Sequence, residues 1–90
     1  MYEVLLSKQV QKFLDSLSDD YIRKFHTKVL QLAENPFSRN TNLDITPLIG
    51  KPKGFFRIRI GGIRFLYEIQ KERVVIYFFK ADFRGDVYKE

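Results

Sequence analysis

The hydrophobic and polar positions divide the chain into a helical half and a β half. Val4, Leu5 and Leu6 after Tyr2 predict a short buried strand. Ser7 is a suitable N-cap for a first helix over about Lys8 to Leu17, in which Val10, Phe13, Leu14 and Leu17 recur at helical spacing. Ser18 followed by Asp19 and Asp20 caps a second helix, with first-turn acids that suit its N-terminus. Its apolar stripe, Tyr21, Ile22, Phe25, Val29 and Leu32, runs to about Glu34 and stops at Asn35-Pro36. Two helices with almost no loop between them pack as an antiparallel hairpin, and one apolar face of the pair needs a sheet to cover. From Asn35 to about Lys53 the chain is rich in Asn, Thr, Pro, Gly and Lys, which predicts a long surface connector anchored by Leu43, Ile45, Leu48 and Ile49.

The second half is β. Phe56-Arg57-Ile58-Arg59-Ile60 alternates, Gly61-Gly62 is a turn signal, and Ile63-Arg64-Phe65-Leu66-Tyr67-Glu68-Ile69 alternates again. A two-residue loop sets the register: Ile60 opposite Ile63, Ile58 opposite Phe65 and Phe56 opposite Tyr67 on a core face. Arg59 then lies opposite Arg64, and Arg57 opposite Leu66, on the other face. A third strand, Val74 to Phe79, follows a turn near Lys71-Glu72. The same parity puts Val74, Ile76 and Phe78 inward and Val75, Tyr77 and Phe79 on the arginine face. Lys80 to Tyr88 reads as a charged loop and short tail. The fold class is α+β: one domain over residues 1–90, with an N-terminal strand and a helical hairpin packed on one face of an antiparallel β-sheet.

Composition sharpens this reading. With 90 residues, 44% hydrophobic and 16% aromatic, the chain has material for one small core. Absence of cysteine excludes disulfides, thiolate metal sites and a cysteine nucleophile, and fits a cytoplasmic protein. No apolar run is long enough for a signal peptide or a membrane span, so a secreted or membrane-bound protein is not expected. The net charge of +5 is unevenly placed. Residues 1–45 carry six basic and six acidic residues, and residues 46–90 carry ten and five. An anionic partner is therefore expected on the β half.

Two arginines directly opposed across a hairpin repel, and an anion between them converts that cost into binding. Arg57, Arg59 and Arg64 beside Tyr77 and Phe79 form a surface suited to phosphates with bases stacked nearby, which makes RNA the first candidate. The plainer alternative is a solvated face partly neutralised by Glu68 and Glu72. Other chemistry is sparse. His26 flanks the apolar stripe of the second helix, Asp19-Asp20 is a helix start, and Asp82 and Asp86 lack a third ligand for a metal. Neither a metal nor another cofactor is expected. The chemistry left to the chain is that of Arg, Lys, Tyr and a carboxylate, and the donors among them suit chemistry at phosphoryl oxygens by stabilising a developing dianion.

The helical hairpin, the segment Phe56 to Ile69, the strand after it and the closing Phe83-Arg84-Gly85-Asp86-Val87-Tyr88 together resemble the RelE/ParE superfamily of toxin–antitoxin toxins, most closely its RelE branch, across essentially the whole chain. The resemblance implies a cytoplasmic toxin neutralised by a cognate antitoxin. For the RelE branch it implies cleavage of messenger RNA in the ribosomal A site by metal-free attack of a 2′-hydroxyl. It also assigns roles. Arg57 and Arg59 fall where that branch usually has lysines acting on the attacking hydroxyl and the phosphate, and Arg64 matches the arginine that stabilises the transition state. Arg84 falls in a C-terminal basic cluster, and Tyr88 matches a tyrosine that orients or stacks on the substrate. Lys51, Lys53 and Lys80 would add phosphate contacts, with Tyr77 and Phe79 under the bases. An arginine is a poor proton acceptor, so Tyr88, Lys53 and Lys80 remain open as the general base. The ParE branch implies a different outcome: DNA gyrase poisoned by binding, without catalysis. A non-catalytic RNA-binding protein is a third reading.

Overall fold

The computed structural model describes residues 1–38 and 42–83. Its elements are β1 (Glu3–Leu6), α1 (Lys8–Asp15), α2 (Asp19–Glu34), β2 (Asp44–Pro47), β3 (Phe55–Ile60), β4 (Ile63–Gln70) and β5 (Val75–Phe83). Both helices start where the caps predict, with the Ser7 and Ser18 hydroxyls accepting from the Val10 and Tyr21 amides. The first helix ends two residues early. The Ser16 hydroxyl donates to the Phe13 carbonyl and competes with a further turn.

The five strands form one sheet in the order β1-β5-β4-β3-β2. β2 to β5 are antiparallel, and β1 joins β5 in parallel. The β3–β4 register is the one the alternation predicts, from Ile60 opposite Ile63 to Phe56 opposite Tyr67. Gly61 has φ +62°, which suits the first position of a tight hairpin turn. One face of the sheet carries the core: Ile58, Ile60, Ile63, Phe65, Tyr67, Ile76, Phe78 and Ala81 against Val10, Leu14, Phe25, Val29 and Leu32. Phe25 lies at its centre, with ring centroids 4.9 Å from Phe65 and 6.0 Å from Phe78.

Four expectations need correction. β2 emerges within the segment expected to be connector, because Asp44-Ile45-Thr46 alternates and finds the free edge of β3. Val74 is not inward. It is exposed in the turn at φ +55°, and the strand starts at Val75. The third strand continues through Lys80 to Phe83 instead of ending at Phe79. An irregularity in the β4–β5 pairing allows this: Tyr67 opposes Phe78 while Leu66 opposes Lys80, so Phe79 is the extra residue and pairing resumes beyond it. Finally, β1 is half-buried, being an edge strand. Among the described residues no helix is long and apolar enough to cross a membrane.

Candidate nucleic-acid interface

The sheet face opposite the core is ordered in rows, because antiparallel pairing sets one residue from each strand side by side. Asp44 of β2 pairs with Arg59 of β3, Arg59 with Arg64 of β4, and Arg64 with Asp82 of β5. This row reads minus, plus, plus, minus across four strands. The neighbouring row is Thr46, Arg57, Leu66 and Lys80, cationic and without an acid. Beyond it stand Phe55, Glu68 and Tyr77.

Side-chain geometry follows the rows. Arg64 donates through Nε and Nη2 to the two Asp82 oxygens, both at 3.1 Å, a fork-on-carboxylate pair that is about three-quarters buried on each side. Asp44 serves two arginines, with Oδ2 3.5 Å from Arg59 Nη1 and Oδ1 3.8 Å from Arg57 Nη2. Arg57 Nη2 also donates to the Thr46 hydroxyl. Two guanidinium nitrogens, Arg57 Nη1 and Arg59 Nε, are buried without a hydrogen-bond partner among the described residues. The carboxylates that neutralise the arginines are thus Asp44 and Asp82, not Glu68 and Glu72. Glu68 instead accepts from the Gln70 amide.

The sequence-predicted residues fall into three groups. Arg57, Arg59, Arg64 and Lys80 share the face opposite the core, with Tyr77 opposite Glu68 and the Phe79 ring 5.9 Å from Phe55, edge to face. Lys51 and Lys53 lie apart, in the β2–β3 loop, on the rim of an apolar groove of about 660 Å³ that Phe37, Phe55 and Phe56 also line. Arg84 and Tyr88 lie outside the described residues. Asp44, Asp82 and Phe55 escaped sequence reasoning as members of this face. The alternation in Asp44-Ile45-Thr46 carried the signal for the first.

Guanidinium groups supply fixed positive charge and planar donors, so the face can hold a phosphodiester and stabilise added negative charge on it. They cannot accept a proton. No group of three or more His, Asp or Glu side chains that could hold a metal occurs among the described residues. His26 is exposed on α2, beside Phe25 and in the layer that covers the opposite side of the sheet.

Residues 4–81 match the family described as the ParE toxin of the type II toxin-antitoxin system, parDE. No curated protein matches the sequence. Among solved structures, the chain is similar to the archaeal RelE-RelB complex from Pyrococcus horikoshii OT3, with 32% identity over 93% of this chain and 96% of that one, at a TM-score of 0.80. The RelB-RelE antitoxin-toxin complex from Methanococcus jannaschii is 27% identical over 93% and 94% of the two chains, with a TM-score of 0.68. The intact Escherichia coli RelBE toxin-antitoxin complex, at 20% identity over 90% and 94% and a TM-score of 0.73, shares the fold.

Proposed function

This chain belongs to the RelE/ParE superfamily of type II toxin–antitoxin toxins, on its RelE branch, and from that premise we propose that it is a ribosome-dependent endoribonuclease that cuts messenger RNA in the A site. The observation that carries the reading is the meeting of Arg57, Arg59 and Arg64 on the sheet face opposite the core, with Arg59 directly opposite Arg64. In the reaction, the 2′-hydroxyl oxygen forms a bond to phosphorus while the bond from phosphorus to the 5′-oxygen breaks. A base takes the hydroxyl proton and an acid returns one to the leaving oxygen, leaving a 2′,3′-cyclic phosphate and a 5′-hydroxyl.

Arg59 and Arg57 hold the non-bridging oxygens and the attacking hydroxyl. The Nη1 side of Arg64, which the Asp82 fork leaves free, meets the charge that develops on the non-bridging oxygens. The proton acceptor is one of Lys53, Lys80 and Tyr88, and Lys80 shares a row with Arg57 across Leu66. Lys51 and Lys53 extend the phosphate path, and Tyr77 and Phe79 offer rings to the bases. Arg84, outside the described residues, belongs by resemblance to a C-terminal basic cluster. The partners are the ribosome and its message, and a cognate antitoxin that neutralises the toxin by covering this surface. RelB is the partner in the similar complexes. The site of action is the cytoplasm, and neither metal nor cofactor is required.

Arg64→Ala should lower cleavage by about a hundredfold or more, the usual cost of one transition-state donor. Unchanged cleavage by a folded variant would reject the reading. A second reading, inhibition of DNA gyrase by binding alone, is favoured by the matched ParE family and by arginine at positions 57 and 59. Loss of supercoiling with pure protein and gyrase, at concentrations that leave translation intact, would establish it instead.

A further inference from the structure

We propose that Asp44 and Asp82 are built-in counter-ions that mask the arginine face, so that it accepts a stacked polynucleotide and discriminates against simple anions. The inference rests on reading this face as the phosphodiester surface, and it concerns what that surface selects.

The row Asp44, Arg59, Arg64, Asp82 carries two positive and two negative charges. Arg64 spends Nε and Nη2 on Asp82, and the single Asp44 carboxylate spans Arg59 and Arg57. The three arginines therefore present about one net charge to a ligand, not three. The like-charge contact between Arg59 and Arg64, which an anion could have relieved, is already relieved from its two ends. A lone phosphate gains little at such a row, because Asp82 already takes two donors of Arg64 and Asp44 already lies against Arg59 and Arg57.

A single-stranded RNA gains elsewhere as well. The adjacent row offers Arg57 and Lys80 with no acid between them, and Phe55, Tyr77 and Phe79 provide rings beyond. Stacking contributes without regard to the masked charge. The masking carboxylates also differ in hold. Asp44 lies on the four-residue edge strand β2 and is half exposed, whereas Asp82 is largely buried in its fork. Asp44 is therefore the one a ligand displaces first. Its departure frees Arg59 Nη1 and Arg57 Nη2, on the two guanidinium groups whose Arg57 Nη1 and Arg59 Nε are buried without a hydrogen-bond partner among the described residues.

The test measures binding of a short single-stranded RNA by fluorescence anisotropy, and retention on heparin as a sulfated polyanion, between about 50 and 200 mM salt. Asp44→Asn and Asp82→Asn are compared with the wild-type chain and with Asp20→Asn. The last removes an acid of the same charge that pairs with Arg23 on an exposed turn of α2. Each unmasking variant should bind about threefold tighter at low salt, and steepen the slope of log affinity on log salt by about 0.7. Asp20→Asn should change neither. Equal shifts in all three variants would reduce the effect to net charge and overturn the inference. So would weaker binding by Asp44→Asn and Asp82→Asn, which would make the carboxylates positioning groups. Shifts on heparin with no RNA bound by any form would uphold the masking and reject the RNA reading. Having two variants on different strands keeps the test valid should one fail to fold.

Discussion

Arg59 and Arg64 face each other across β3 and β4, a contact that would cost up to about 1 kcal/mol without compensation. The sequence reveals this pair through hairpin parity, but not its compensation, because Asp44 and Asp82 lie far along the chain and meet the arginines only through strand order. Val74 is a second case. Alternation places it inward, yet the β4–β5 turn forces it to φ +55°, a conformation costly for a β-branched residue. Val74→Asn should therefore raise stability by about 0.5–1 kcal/mol, read as a higher urea midpoint with an unchanged slope. Two tyrosines carry a pH dependence. Burial pushes the Tyr21 and Tyr67 hydroxyls well above their ordinary pKa. The unfolded chain then releases these protons first, so stability is intact below about pH 10 and falls as pH rises beyond it. Urea midpoints followed from neutral to about pH 11 should decline, and Tyr67→Phe should remove part of that decline.

At the scale of elements, the hairpin was legible to the residue because Gly61-Gly62 fixes the loop length, and a period of two does the rest. Gly61 also touches the helical layer. A Cβ there would stand 3.0 Å from Tyr21 Cε2, on a ring whose hydroxyl donates to the Ile60 carbonyl. Gly61→Ala should cost about 1–2 kcal/mol in chemical denaturation, from the positive φ and the displaced ring together. β2 was not legible. Four residues bounded by Pro47 carry too little pattern, and what makes them a strand is the open edge of β3 and the pull of Arg57 and Arg59 on Asp44 and Thr46. The reach of β5 to Phe83 was hidden too, since the irregularity at Phe79 breaks the alternation that would have announced it.

For the whole molecule, apolar stripes on α1 and α2 have one sheet face to cover, and the arginines of β3 and β4 are left on the other. That division was readable from residue order alone. The arginines of the site were readable with it, while its carboxylates needed the topology. This second face is proposed to cut messages on the ribosome. Primer extension on a message under translation by purified ribosomes tests it most directly, with the wild-type chain, Arg64→Ala and a ribosome-free control. Cuts at A-site codons that disappear in the variant and without ribosomes are expected. A toxic protein that leaves the message whole under all three conditions would contradict it.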